Sequence, residues 1–189
     1  MSTLRLNPLT LRSGDIVFVA IPNALYRRVA EATESKASHV GIAFDDPKQG
    51  WLVAESTIPV VKYTPLETFL AKSDGGWIAV RRLKGGLTEE QVSALRQACD
   101  KRLGKLYHQG FRYGSRRQFC SKLVYNAYLE ALGVRVGEVE TFSHLLARNP
   151  TGSQSFWKLW FFGFIPWSRL TVTPASLMNS EVLETIVSP

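Results

Sequence analysis

One short alternation constrains this chain more than any other feature. Ser38-His39-Val40-Gly41-Ile42-Ala43-Phe44 is followed by Asp45-Asp46-Pro47-Lys48-Gln49-Gly50 and then by Trp51-Leu52-Val53-Ala54-Glu55-Ser56. A period of two is the signature of a strand. The middle six residues are dense in turn formers. Two strands joined this closely run antiparallel, so the fold must contain a sheet built around this hairpin. Other apolar runs supply partners for it: residues 16–21, 76–83 and 182–187 read as strands. Between them the pattern predicts helices over 23–35, 65–72 (Pro65 at the first turn), 88–103, 119–132 and 141–148. The third opens on Thr88-Glu89-Glu90-Gln91, a capping box. The fourth is stopped by Gly133 and the last is closed by Asn149-Pro150. Mixed helices and antiparallel strands make an α+β fold.

Composition supports one unit of this kind. The chain has 189 residues, 45% hydrophobic and 21% charged, which excludes a disordered tail, a collagen-like fibre and a disulfide scaffold. Its 23 basic and 16 acidic residues give a formal charge of +7. That balance suits nucleic acid, an anionic membrane or an acidic substrate. The basic residues are spread out, with no zinc-finger spacing and no RNP-type motif, so no nucleic-acid partner is expected. Met1 to Ser13 carries no apolar core of the kind a signal peptide needs, and no segment is long enough to span a bilayer, so a cytoplasmic location is expected. Phe156 to Trp167, FWKLWFFGFIPW, is the most apolar stretch. The simplest expectation folds it onto the core; the sharper one makes it a contact with a membrane surface.

The two cysteines differ in setting. A nucleophilic cysteine needs surroundings that favour its thiolate. Cys99 falls late in a helix, on the apolar stripe of Val92, Leu95 and Leu103, where it serves packing. Cys120 opens a helix, beside Arg116 and Arg117, where free amides and the positive end of the helix dipole favour an anion. It shares its side with Leu123, Val124, Ala127 and Ala131, so it points inward. From position alone, a packed thiol and a nucleophile are equally good readings. A base must then face the sulfur. His39 begins the hairpin and shares a face with Gly41 and Ala43, small residues that let a helix come close. A register placing Ala43 opposite Trp51 also places His39 opposite Glu55, within reach of a carboxylate–imidazole bond.

These residues also carry a family resemblance. Gly14-Asp15-Ile16-Val17-Phe18, Ser38-His39-Val40-Gly41-Ile42, Val53-Ala54-Glu55-Ser56 and Phe119-Cys120-Ser121-Lys122-Leu123-Val124-Tyr125 resemble the YiiX/YebB-like branch of the NlpC/P60 cysteine hydrolases. The likeness continues through Gly137-Glu138-Val139-Glu140-Thr141-Phe142, Phe156-Trp157-Lys158 and Ile165-Pro166-Trp167 to Thr173-Pro174-Ala175-Ser176-Leu177. It implies a circularly permuted papain-like fold over residues 1–189, with 150–189 as a C-terminal extension packed on it. It also implies the roles: Cys120 as nucleophile, His39 as base, Glu55 as the orienting acid, and Tyr107 as a residue lining the site. No cofactor and no metal is expected.

The chemistry so implied is acyl transfer through a thioacyl intermediate. Its oxyanion would meet the Cys120 amide, with Tyr107 or Gln118 as helpers and Arg116 and Arg117 as an anion-binding rim. The expected substrate is a peptide or amino-acid conjugate, cleaved at an amide. A lipid-directed acyl hydrolase or acyltransferase is the alternative, with Phe156–Trp167 as an acyl-binding wall. A binding module with a silent site is the second alternative. The sequence gives no reading of oligomeric state.

Overall fold

The computed structural model describes residues 10–148 and 154–188. The N-terminal residues 1–9 and the expected stop at Asn149-Pro150 lie outside them. The strands are β1 (Ile16–Val19), β2 (His39–Asp46), β3 (Gly50–Ser56), β4 (Val61–Pro65), β5 (Ile78–Leu83), β6 (Glu140–Thr141), β7 (Leu170–Thr171) and β8 (Leu183–Val187). Six form one sheet in the order β4-β3-β2-β1-β5-β8, antiparallel throughout. β6 and β7 make a separate two-stranded ribbon. The helices are α1 (Ala24–Ala32), α2 (Leu66–Leu70), α3 (Glu89–Asp100), α4 (Cys120–Leu132), α5 (Phe142–Arg148), α6 (Gln154–Trp160) and α7 (Pro174–Met178). This is the α+β architecture expected.

The sheet sorts its side chains as the alternation requires. Ile16, Phe18, Val40, Ile42, Phe44, Ala54 and Ala79 face one core, where they meet Leu95 and Cys99 of α3 and Val124, Ala127 and Tyr128 of α4. Val17, Val19, Ala43, Val53, Ile78 and Val80 face the other, covered by Leu66 and Phe69 of α2. The face with Gly41 and Ala43 was expected to receive a packed helix, and α2 is the helix that it receives. A Cβ at Gly41 would lie 2.8 Å from the Ala54 carbonyl and 3.4 Å from the Phe69 ring, so the small residues admit Phe69. The long helices take the other face because Val40, Ile42 and Phe44 offer it more apolar area.

Local signals explain the helix ends. Thr88 and Gln91 form the reciprocal capping box at the start of α3. That helix stops at Asp100, three residues before the predicted end. Its last turn tightens into bonds from Arg102 N–H to Cys99 and from Leu103 N–H to Asp100, and Gly104 then turns at φ 73°. Leu103 is therefore exposed rather than on the apolar stripe. Gly133 ends α4 in the left-handed conformation, φ 67°. Residue 65 does not begin a helix within its own first turn; Pro65 closes β4, a strand absent from the sequence reading, and α2 follows it.

Candidate active site

His39 begins β2, Glu55 lies near the end of β3, and Cys120 is the first residue of α4. The hairpin register is even, as the shared face requires, but it is offset from the expected one. Glu55 stands opposite Gly41 and Trp51 opposite Asp45. His39 and Glu55 are thus diagonal neighbours on one face rather than directly opposed. Absence of a side chain at Gly41 leaves the space between them clear, and His39 Nε2 meets Glu55 Oε2 at 2.6 Å.

Glu55 is the hub of this network. Its side chain has no exposure, and its other oxygen accepts from Thr64 Oγ1 at 2.5 Å and from Lys72 Nζ. Burial alone would raise its carboxyl pKa; His39, Lys72 and Thr64 reverse this and pull it down to about 2. Lys72, a quarter exposed, comes from the turn after α2 and was not singled out in the sequence. Its spacing from Glu55 carries no signal, because β4 and α2 have to be folded before the two meet.

His39 is fully buried between Phe69, with ring centroids 5.5 Å apart, and Tyr26, edge-on at 5.6 Å. Burial alone would push the imidazole pKa down. The Cys120 sulfur and the Glu55 carboxylate outweigh it and bring the pKa up to about 9. With Nε2 held by Glu55, Nδ1 is the atom left for the sulfur. Nδ1 makes no hydrogen bond in this structure, while the Cys120 sulfur lies near enough to raise the ring's pKa. Such pairs commonly tighten only when substrate arrives.

Cys120 is 3% exposed, and its helix has a cap residue, Phe119, that makes no side-chain bond to the first turn. The first amides of α4 therefore point at the space around the sulfur with no side-chain acceptor from the cap. That space is a cavity of about 30 Å³, lined by Tyr26, Tyr107, Phe111, Phe119, Phe142 and Trp157 among others. It has room for about two waters. The Tyr107 hydroxyl is buried there without a fixed partner. Burial, then the neighbouring Cys120 and Tyr26, hold its pKa well above the ordinary phenol range, so it is a protonated donor. Tyr26, like Lys72, is a residue that the sequence did not single out. It lies on the buried side of α1, where an aromatic reads as packing.

The remaining candidates lie elsewhere. Arg116, Arg117 and Gln118 line a different groove with Arg102, Lys105 and Lys122. Both arginines are exposed, while Gln118 is buried with an unpartnered Oε1. They do not form a rim on the cavity at Cys120. Lys122 donates to the Ser115 and Arg117 carbonyls and so fastens the loop that leads into Cys120. Cys99 is fully buried, and burial pushes its thiol up to about 12, in keeping with a packing role. Among the described residues, no helix is long and apolar enough to cross a membrane.

Known proteins resemble this chain over most of its length. Over 175 residues the chain is 33% identical to the uncharacterized protein YiiX of Escherichia coli strain K12, spanning 93% of this chain and 85% of that one. It also matches the crystal structure of the metalloprotein yiiX from Escherichia coli O157:H7 with a TM-score of 0.88 and 33% identity. That match covers 95% of this chain and 98% of the other. In this chain, no group of three or more His, Cys, Asp or Glu side chains among the described residues is placed to hold a metal ion. Cys120 and His39 offer one sulfur and one nitrogen, and Glu55 lies on the far side of the ring. Residues 10–187 match the model of the permuted papain-like amidase enzymes, YaeF/YiiX, C92 family. With its α+β sheet and its cysteine at a helix start behind a strand histidine, the chain belongs to that permuted papain-like amidase family.

Proposed function

We propose that this protein is a cysteine amidase in which Cys120 is the nucleophile, His39 the acid–base and Glu55 the residue that orients the imidazole. The observation that carries the reading is the chain of hydrogen bonds from Lys72 and Thr64 through Glu55 to His39, with the Cys120 sulfur beside that ring at the start of α4. Glu55 fixes Nε2–H, which directs Nδ1 to the thiol. A proton passes from Sγ to Nδ1, leaving a thiolate–imidazolium pair. The thiolate adds to the substrate carbonyl carbon, and the resulting oxyanion is met by the Cys120 amide and the Tyr107 hydroxyl. His39 then gives its proton to the leaving amine as the C–N bond breaks. A water attacks the thioester, His39 takes that proton, and the carboxylic acid leaves while the thiol is restored.

The lining of the cavity is mainly apolar, with Phe111, Phe119, Phe142, Leu145 and Trp157 near the sulfur. This favours a compact apolar group next to the scissile bond. It also keeps an acyl-chain substrate as a second reading. At about 30 Å³ the cavity is smaller than either substrate, so its walls part on binding.

The test is turnover of small acyl amides, from amino-acid amides to fatty amides, with mass spectrometry of the quenched protein. The expected result is a thioacyl adduct on the Cys120 peptide and no turnover by Cys120→Ala. An adduct elsewhere, or turnover by Cys120→Ala, would overturn the reading. Preference for fatty amides would move the substrate class to acyl lipids.

A further inference from the structure

The segment 156–167 divides into two faces. Trp157 and Ile165 are buried at 3% and 2% exposure and anchor it. The other face projects: Phe162 is 98% exposed, Leu159 79% and Phe164 73%, with Trp167 and Leu170 partly exposed beside them. Phe162 sits at the tip of the turn after α6 with φ 55°, a left-handed conformation uncommon for an aromatic residue. Core packing of the whole segment, the simpler expectation, holds for its inner face only.

Three cations lie on or beside this segment. Lys158 and Arg112 are exposed, and Arg169 lies 4.9 Å over the Phe161 ring while donating to the Gly110 carbonyl. Arg112 is close enough to act on Arg169. None of the three has a carboxylate partner among the described residues. The groove of about 640 Å³ beneath the tip is lined mainly by aromatic and apolar side chains, with Arg169 and Gln109 and without Asp or Glu.

We propose that this tip docks the protein onto anionic lipid bilayers. The order of chemistry fits a bilayer: projecting Phe and Leu for the acyl boundary, a Trp at headgroup depth, and unpaired cations for the lipid phosphates. A second copy fits poorly, because two-fold pairing of this patch would set Lys158, Arg112 and Arg169 against their own images. A nucleic acid would satisfy the cations and leave the Phe side chains in water. The surface is independent of the chemistry assigned to Cys120.

Sedimentation of the full chain with phosphatidylcholine vesicles, with and without phosphatidylglycerol, tests the proposal. The protein should pellet with the anionic vesicles and pellet less as salt rises. Phe162→Ser with Phe164→Ser should abolish pelleting and leave the thermal midpoint unchanged, since both rings are exposed. Lys158→Glu with Arg112→Glu should weaken it by about 30-fold or more, the effect of losing two cations near the surface. A wild-type protein that stays in the supernatant, or a Phe variant that pellets like wild type, would overturn the proposal. So would a wild-type dimer that the Phe variant dissolves, which would assign the patch to self-association.

Discussion

Replacing Glu55 with Gln isolates the charge of the buried network from its shape. The Gln carbonyl can still accept from His39 Nε2–H, so the ring keeps its orientation. What is lost is the anion that stabilises imidazolium and anchors Lys72. Two displacements bound the effect: His39 rises from 6.5 to about 9, and Glu55 falls from 4.5 to about 2. The Glu55 displacement corresponds to about 3 kcal/mol and sets the scale; the His39 displacement is owed first to the Cys120 sulfur, which the variant keeps, and is not added. The raised His39 value stabilises the fold fully below 6.5 and ceases to do so as pH climbs through about 9. The lowered Glu55 value stabilises it above 4.5 and ceases to do so as pH falls through about 2. Wild type should therefore exceed Glu55→Gln most between pH 4.5 and 6.5, where both contributions are complete. There the midpoint of thermal unfolding should drop by about 6–12 °C for about 3 kcal/mol in a chain of this length. Above about pH 9 the difference should shrink. Amide turnover should fall by about 100-fold or more, as the imidazole becomes a weaker base toward the Cys120 thiol and the thiolate–imidazolium pair is less populated. Equal stability across this range, or full turnover in the variant, would refute the reasoning.

Other outcomes follow from the same geometry. Cys99→Ala should retain labelling of Cys120 by iodoacetamide near neutral pH, because burial keeps the Cys99 thiol protonated up to about 12; peptide mapping of the alkylated protein checks this. Tyr107→Phe removes the buried hydroxyl facing the cavity and should lower kcat by about 10-fold to 100-fold with KM little changed, measured by steady-state kinetics. Gly41→Ala places a Cβ 2.8 Å from the Ala54 carbonyl and should cost about 1–3 kcal/mol in urea unfolding. Lys72→Met leaves Glu55 with His39 and Thr64 only; since Lys72 is a quarter exposed, the loss of stability should be about 1 kcal/mol, with turnover reduced less than in Glu55→Gln.

The sheet was legible wherever a strand has an alternating or continuous apolar run with turn residues beside it. β1, β2, β3 and β5 met that condition, and β8 did so closely enough. β4 did not: Val61-Lys62-Tyr63-Thr64-Pro65 is short and ends in a proline that also fits a helix start. The Cys120 helix announced both of its ends, through position at one and Gly133 at the other. The relation of His39 to Glu55 was legible as a shared face, since any even register gives it. The two-residue offset was not, because the length of the turn, which ends with Asp46 opposite Gly50, decides it. Lys72 and Tyr26 reach the site only through tertiary packing, which leaves no local pattern. Arg116 and Arg117 illustrate the converse error. Closeness to Cys120 in sequence suggested a shared site, but the loop before α4 turns both side chains into another groove.

The most direct test of the assignment is titration of the His39 imidazole by nitrogen-15 NMR in wild type and in Cys120→Ala. The account predicts an imidazole that keeps its Nε2 proton on the Glu55 side and titrates near 9 in wild type, with a clearly lower value once the sulfur is removed. An ordinary value near 6.5 in wild type, or one that does not move in Cys120→Ala, would contradict it.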